Sequence, residues 1–335
     1  MARQIQFDRL GGPEVLHVRE VETGAPGTGE VLVRVDAIGL NRADAMFREG
    51  SYFLQPSFPS SLGYEAAGTV EALGEGVTGL AVGDPVAVVP AFSLTDYGTY
   101  GDHVIVPASA VVPRPAALDP VTAAAVWMAY LTAYGALIDE GGLRPGDHVL
   151  LTAASGGVGL AAIQTARRIG VTPIATVRGT SKRQALLDAG AAHVIDTENE
   201  DLVARVKEIT GGRGVQLAFD PVAGPGVDTL AQAIAPGGKL LVYGALDPRP
   251  TPLPNAAFYP DLLTGMFTMF RITADPERLR RAVAFVDAGL SDGSLAPVVD
   301  RTFDLDDVAA AHRYMESNAQ TGKIVLTVGH DTDAS

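Results

Sequence analysis

The 335-residue chain contains no cysteine. That one absence excludes disulfides, cysteine nucleophiles and thiolate-ligated metal centres together. Lysine is nearly as scarce, with four in the chain, and 25 basic residues stand against 39 acidic ones for a formal net charge of −14. Nucleic-acid binding needs clustered Lys and Arg on phosphate, so no nucleic-acid partner is expected. No apolar run reads as long enough to span a bilayer. The first fifteen residues, "MARQIQFDRLGGPEV", carry charges where a signal peptide has its apolar core. Neither a membrane nor a secretory route is expected, and a cytoplasmic location is.

What remains describes a folded globular protein, 47% hydrophobic and 19% charged. A chain of this length is too long for one ordinary core, so two domains are expected. The first third alternates in the manner of strands: "EVLVRVDAIGL" (Glu30–Leu40), "AAGTVEALGEGV" (Ala66–Val77) and "VGDPVAVV" (Val82–Val89), with irregular aromatic-rich connections between. From Asp119 a long helical pattern opens on an Asp cap and a proline. Strands and helices then alternate. Strands are predicted at His148–Ala153, Thr172–Val177, His193–Asp196, Val215–Asp220 and Gly238–Tyr243. Helices are predicted at Gly157–Ile169, Ser181–Ala189, Asp201–Thr210 and Val227–Ile234. That alternation predicts a doubly wound parallel sheet. The last seventy residues are mixed: a helix from Pro276, a strand near Val298, a helix near Asp306–Glu316, the strand "GKIVLTV", and a tail "GHDTDAS" expected to fray. The layout predicts an α/β domain (122–265) inserted into a mostly β domain (1–121 and 266–335) that uses both chain ends. A cleft between such domains is a natural ligand site.

The turn Ala154-Ser155-Gly156-Gly157-Val158-Gly159 follows a predicted strand and opens a predicted helix. Its spacing is that of a dinucleotide fingerprint with alanine at the first glycine position. Gly156 would let the backbone approach a pyrophosphate, Gly159 would let the helix pack on its strand, and the helix N-terminus would supply free N–H groups. A tight strand–helix turn in another α/β protein is the alternative. An NAD site places an acid about twenty residues on, against the ribose hydroxyls. Nineteen residues beyond Gly159 stands Arg178, followed by Thr180, Ser181, Lys182 and Arg183. A guanidinium forms forked, charge-assisted bonds to phosphate, so this cluster predicts NADPH over NADH. A solvated, capped helix start is the other reading of the same residues.

With "GLNRADAMFREGSY", "LGYEAAGTVEALGEGV", "GDPVAV", "LTAYGAL", "AASGGVG", "FDPVAG", "GGKLLVYGAL" and "TGKIVLTV" in order, the chain resembles the medium-chain dehydrogenases/reductases over essentially its whole length. The likeness is to the zinc-independent quinone oxidoreductase (zeta-crystallin-like) branch. It implies a Rossmann domain inserted into a GroES-like catalytic domain. Zinc alcohol dehydrogenases of that superfamily carry Cys-x-x-Asp and Gly-His-Glu motifs at the catalytic metal. Here those positions read Asn41-Arg42-Ala43-Asp44 and Gly63-Tyr64-Glu65, a third ligand cysteine falls near Met128, and the structural zinc lobe has no counterpart. Amide, phenol and thioether are poor zinc ligands, so no metal is expected. Asp44 and Glu65 are read as structural hydrogen-bonding groups. The six histidines (His17, His103, His148, His193, His312, His330) show no close metal spacing and are read as structural.

The resemblance implies an enzyme in which NADPH delivers hydride to a quinone or an α,β-unsaturated carbonyl, while the protein orients the reactants and excludes water. It places Asn41, Tyr52 and Met46 by the nicotinamide, with Met46 where relatives often have tyrosine. Tyr64, at the former metal position, is either a hydrogen-bond donor to the forming enolate or a filler of the space zinc and its ligands would occupy. Further cofactor contacts are expected from Thr132, Val222, Tyr243, Gly244, Ala245 and Lys323. Tyr52, Phe53, Phe92, Tyr97, Phe258 and Tyr259 are candidates for an apolar acceptor pocket. The stretch Leu262–Ile272 resembles the edge strand that pairs across a homodimer in this superfamily. Two other functions stay open: an enoyl reductase acting in trans within a biosynthetic pathway, and a non-catalytic NADPH-binding protein.

Overall fold

A computed structural model describes residues 1–115, 117–255, 258–259 and 261–330; the last five residues of the tail expected to fray lie outside this set. The chain forms two compact units, Met1–Met128 with Pro297–Ser335, and Ala129–Ala296. Both boundaries lie beyond those expected at 121/122 and 265/266, and the side chains say why. The helix Trp127–Tyr134 straddles the first. Before the second, Arg278 of the helix Pro276–Asp292 binds Asp139 and Glu140, and the Gln164 amide bonds both the N–H and the C=O of Ala296. Residues 266–296 therefore belong with the segment of alternating strands and helices.

The unit built from both chain ends centres on one long strand, Glu30–Gly39, whose inward positions alternate as a half-buried strand requires. It pairs antiparallel with Lys323–Thr327, Glu65–Leu73 and His103–Pro107. Pro85–Val88 and Val111–Pro113 extend the sheet on one side and Val299–Asp304 on the other, for seven strands in all. A separate hairpin joins Ala2–Gln6 to His17–Val21. Directly after the central strand runs the helix Arg42–Glu49, which the pattern of apolar residues does not reveal. It is closed by Gly50 at φ 76° and opened by the Asp44 carboxylate, which accepts the Asn41 backbone N–H at 2.8 Å. The helical pattern from Asp119 starts as expected, with the Asp119 carboxylate accepting the Thr122 N–H at 2.9 Å. It is not one helix, however, but Pro120–Ala123, Trp127–Tyr134 and a π-helical turn over Gly135–Asp139. The span Pro120–Asp139 is long and apolar enough to cross a membrane, contrary to the expectation that no run was. Its most apolar window is 83% buried, which marks a core helix.

Ala129–Ala296 holds a six-stranded sheet, every neighbouring pair parallel. The spatial order is His193–Asp196, Thr172–Val177, His148–Leu151, Val215–Asp220, Ile234–Val242, Leu263–Met266. Sequence order thus reverses between His148–Leu151 and Val215–Asp220, the point at which doubly wound sheets bind ligands. The core between these strands and their helices is aliphatic, with Leu150, Ile174, Ile195, Ala218 and Leu240 fully buried. The expected edge strand is shorter than Leu262–Ile272. Pairing ends at Met266, and Phe270–Thr273 turns into a helix.

Candidate active site

The glycine turn sits at the carboxyl end of His148–Leu151 and opens the twelve-residue helix Gly157–Arg168. A Cβ on Gly159 would lie 2.4 Å from the Ala154 carbonyl oxygen and 2.5 Å from its Cα, so only glycine lets this helix approach its strand. Gly156 is different. A Cβ there would meet only the Ala153 oxygen, at 3.8 Å. The fold itself therefore does not require glycine at 156, and the space above its backbone is open. No side chain caps the helix start, and free N–H groups with a partial positive charge suit a phosphate. Ser155, Gly157 and Val158 are half-buried around this opening. The turn thus fits a pyrophosphate by its own geometry.

Beyond Thr172–Val177, Arg178 is exposed and has no hydrogen bond or ion pair among the described residues, and Thr180 and Ser181 are exposed beside it. Lys182 is half-buried at the start of the helix Arg183–Asp188. Arg183 departs from the expected cluster. Its guanidinium donates to the Val194 carbonyl at 2.8 Å and lies 3.8 Å from Glu200, so it braces the third strand. Asp196, at the end of that strand, accepts the Gly179 N–H at 2.8 Å and so holds the loop that carries Arg178. Bonds from Asn199 and from backbone N–H groups keep its carboxyl below the usual range.

Across the switch point, the buried Asp220 ends Val215–Asp220, accepts a hydrogen bond from the Thr152 hydroxyl, and accepts the Ala223 N–H at 2.6 Å. Burial raises its pKa. Val222 follows, half-buried. Tyr243 stacks on Phe219 with centroids 4.0 Å apart, and a Cβ on Gly244 would meet the Pro221 oxygen at 2.6 Å. Ala245 is exposed at the end of this run. Thr132 is buried in Trp127–Tyr134. Phe258 and Tyr259 pack on each other, centroids 6.4 Å apart.

In the other unit, one expected catalytic residue, Asn41, meets Glu65, together with Met128 and Lys323, while Tyr52 and Tyr64 pair with each other. The Asn41 amide donates to Glu65 Oε1 at 3.0 Å and to the Gly39 carbonyl at 3.2 Å. The Met128 N–H donates to Glu65 Oε2 at 2.9 Å. The Lys323 ammonium donates to the Leu40 carbonyl at 2.7 Å, to Asn41 Oδ1 at 2.8 Å, and to Glu65 Oε1. An ammonium has three protons, so in this arrangement Lys323 is spent on the protein. It is 6% exposed and holds Asn41 by the bond to Oδ1. Tyr64 is fully buried, and its hydroxyl donates to that of the half-buried Tyr52 at 3.3 Å. Burial lifts Tyr52 to about 12 and Tyr64 further, so both remain phenols at neutral pH. Tyr52, Tyr64, Phe92 and Tyr97 form a row, with successive centroids 6.5, 5.8 and 5.9 Å apart, and Phe53 lies against Tyr52 at 4.3 Å. Met46 is half-buried on the helix Arg42–Glu49.

A second buried network has no counterpart among the expected site residues. Arg48, fully buried, donates to His312 Nδ1 at 2.9 Å. An arginine cannot accept, so the imidazole proton sits on Nε2 and faces the Tyr100 hydroxyl at 3.3 Å. Tyr100 in turn donates to Asp44 Oδ2 at 3.1 Å. The other Asp44 oxygen is buried without a partner among the described residues. Burial above all raises the Asp44 pKa to about 7; burial, then Arg48, lowers that of His312 to about 3. The contributing residues lie far apart in the chain, and only the Asn-x-x-Asp spacing of a capping box at 41–44 was there to be noticed.

Residues 27–116 match the alcohol dehydrogenase GroES-like domain, and residues 189–326 match the zinc-binding dehydrogenase model. The chain is 34% identical to a quinone oxidoreductase of Pseudomonas aeruginosa over 97% of its own length and 99% of that protein's. It is 33% identical to a phenolphthiocerol/phthiocerol polyketide synthase protein of Mycobacterium tuberculosis over 98% of its length, spanning about 15% of that much longer protein. It superposes on Escherichia coli quinone oxidoreductase complexed with NADPH with a TM-score of 0.90 at 32% identity, covering 97% of this chain and 99% of that one. The strand order, the glycine turn at the switch point and the mostly antiparallel partner unit are those of a medium-chain dehydrogenase/reductase. Within that superfamily the chain belongs to the quinone oxidoreductase branch.

Proposed function

We propose that the chain is an NADPH-dependent, zinc-independent oxidoreductase that transfers hydride to a quinone or an α,β-unsaturated carbonyl. The observation that carries the reading is the pairing of an open Gly156 at an uncapped helix start with an exposed Arg178, unpartnered among the described residues, where an NAD site has its acid. The matched Escherichia coli structure, complexed with NADPH, supports the same cofactor. When bound, the dinucleotide supplies the hydride. The protein binds its pyrophosphate at Gly156 to Gly159 and its extra phosphate at Arg178, Thr180 and Ser181. Tyr52 then donates a hydrogen bond to the acceptor's oxygen as negative charge develops there. Its own proton is uncommitted because Tyr64 donates to it, so Tyr64 acts through Tyr52 and not directly on substrate. No zinc is proposed. Asn41 and Glu65 are tied to Lys323, and phenol and thioether stand where the zinc alcohol dehydrogenases have imidazole and thiolate.

A second reading, an enoyl reductase acting in trans, is favoured by the full-length match to a segment of a polyketide synthase. Both readings carry a homodimer. Leu263–Met266 is the last strand of its sheet, with Leu263 60% and Met266 65% exposed, and an apolar edge of that kind is stabilised by pairing with a second copy. Steady-state oxidation of NADPH against 1,4-quinones, small enones and carrier-bound enoyl thioesters separates the possibilities. Turnover of quinones or small enones is expected. Turnover of the carrier-bound acceptor alone would establish the second reading, and tight NADPH binding with no turnover would contradict both.

A further inference from the structure

Two alanines hold backbone conformations that favour glycine, Ala153 at φ 46° and Ala223 at φ 61°. Both stand just beyond strands that flank the switch point, Ala153 after His148–Leu151 and Ala223 after Val215–Asp220. Strain in a non-glycine residue persists only where its surroundings fix it, and it clusters where a ligand must be held. What fixes it here is one carboxylate. Asp220 Oδ1 accepts the Thr152 hydroxyl, next to Ala153, and Oδ2 accepts the Ala223 N–H at 2.6 Å. The backbone closes the same gap, with Thr152 N–H to the Phe219 carbonyl at 3.3 Å. From outside, the Asp247 N–H holds the Val222 carbonyl at 2.8 Å, and the Thr251 hydroxyl accepts the Gly224 N–H at 2.9 Å. Asp220 is 1% exposed and forms no ion pair among the described residues. A buried carboxylate without a cation costs stability that a packed apolar pair would not.

We infer that Thr152 and Asp220 are positioning residues for the dinucleotide: their hydrogen bond sets the spacing between the glycine turn and the loop that carries Val222. The inference rests on the NADPH reading above. Bridging the two strand ends at the switch point, the bond holds the phosphate-binding turn and the Val222 loop in register with one ligand that must touch both. Loss of the bond leaves the Thr152–Phe219 backbone bond to join the two turns, so they move more freely against each other and the ligand must order them on arrival.

The test is the NADPH dissociation constant, measured by isothermal titration calorimetry on the full-length protein at a temperature where each variant is folded. Thr152→Val keeps the shape and removes the hydroxyl; it is expected to weaken NADPH by about tenfold, the loss of one charge-assisted hydrogen bond. Thr152→Ser restores the donor and is expected to bind within about twofold of wild type. In turnover, KM for NADPH should rise in Thr152→Val while kcat at saturation changes little, a split that a mere loss of stability would not produce. If Thr152→Val does not fold, Thr152→Ala removes the same hydroxyl without added bulk and is read the same way. Wild-type affinity in the folded Val or Ala variant overturns the inference, as does an equal loss in Thr152→Ser. A wild-type protein that does not bind NADPH overturns the cofactor reading, and this inference with it.

Discussion

At the scale of single residues, the buried Asp44–Tyr100–His312 series makes a prediction about protons. With Asp44 raised to about 7 and His312 lowered to about 3, the folded protein holds both groups neutral between about pH 4 and 6.5. The unfolded chain over that range carries Asp44 ionised and His312 protonated. A raised carboxyl contributes stability that is lost as pH rises from 3.8 through about 7, and a lowered imidazole contributes stability that is lost as pH falls from 6.5 through about 3. The two slopes oppose each other, because folded and unfolded states hold the same number of protons on the pair. Asp44→Asn removes one of them. The unfolded state then binds one proton more than the fold, and stability should rise with pH by up to about 1.4 kcal/mol per unit relative to wild type. Urea unfolding at intervals from pH 4.5 to 6.5 measures this, and parallel wild-type and variant profiles would contradict it. Nothing local in the chain announces such a network. Asp44, Tyr100 and His312 meet only through the fold, whereas Gly156, Gly159 and Arg178 declare themselves by spacing along one strand–helix–strand segment. Arg183 shows where spacing stops being informative, since it shares a run with the exposed Arg178, Thr180 and Ser181 and yet braces Val194.

At the scale of elements, the parallel strands were the most legible part of the molecule. Thr172–Val177, His193–Asp196 and Val215–Asp220 are apolar runs closed by glycine, aspartate or threonine, and their ends coincide with those observed. The helix Arg42–Glu49 was hidden because two of its buried positions are Asp44 and Arg48, so the pattern of apolar residues misses its inner face. The segment from Pro120 misled in the opposite way. Its composition is uniformly apolar, which says that it is buried but not that it breaks at 124–126 and widens at Gly135–Asp139. The edge strand Leu263–Met266 carries the oligomer prediction. Met266→Lys places a charge on the exposed edge, where paired copies would have to bury it. Light scattering coupled to size exclusion should show a dimer for the wild type and a monomer for the variant. A wild-type monomer, or an unchanged dimer in the variant, would contradict pairing along this strand.

At the scale of the whole molecule, the order of segments was legible and the exact division was not. A run of strands, then alternating strands and helices, then a short mixed return is visible in texture alone. Where the return begins depends on contacts such as Arg278 with Asp139 and Gln164 with Ala296, which link residues more than a hundred positions apart and leave no local mark. The charge balance has a functional consequence at this scale. A chain with a net charge of −14 repels a polyanionic dinucleotide at a distance, so binding calls for a local cationic site, and in the proposed function its centre is Arg178, which has no ion pair among the described residues. The extra adenosine-ribose phosphate is the one group that distinguishes the two nicotinamide cofactors. The most direct measurement is therefore the pair of dissociation constants for NADPH and NADH, taken on wild type and on Arg178→Asp. The account predicts that wild type prefers NADPH by at least about tenfold, and that the variant loses most of its NADPH affinity while NADH changes by no more than about threefold. A wild-type preference for NADH, or equal losses for both cofactors in the variant, would contradict it.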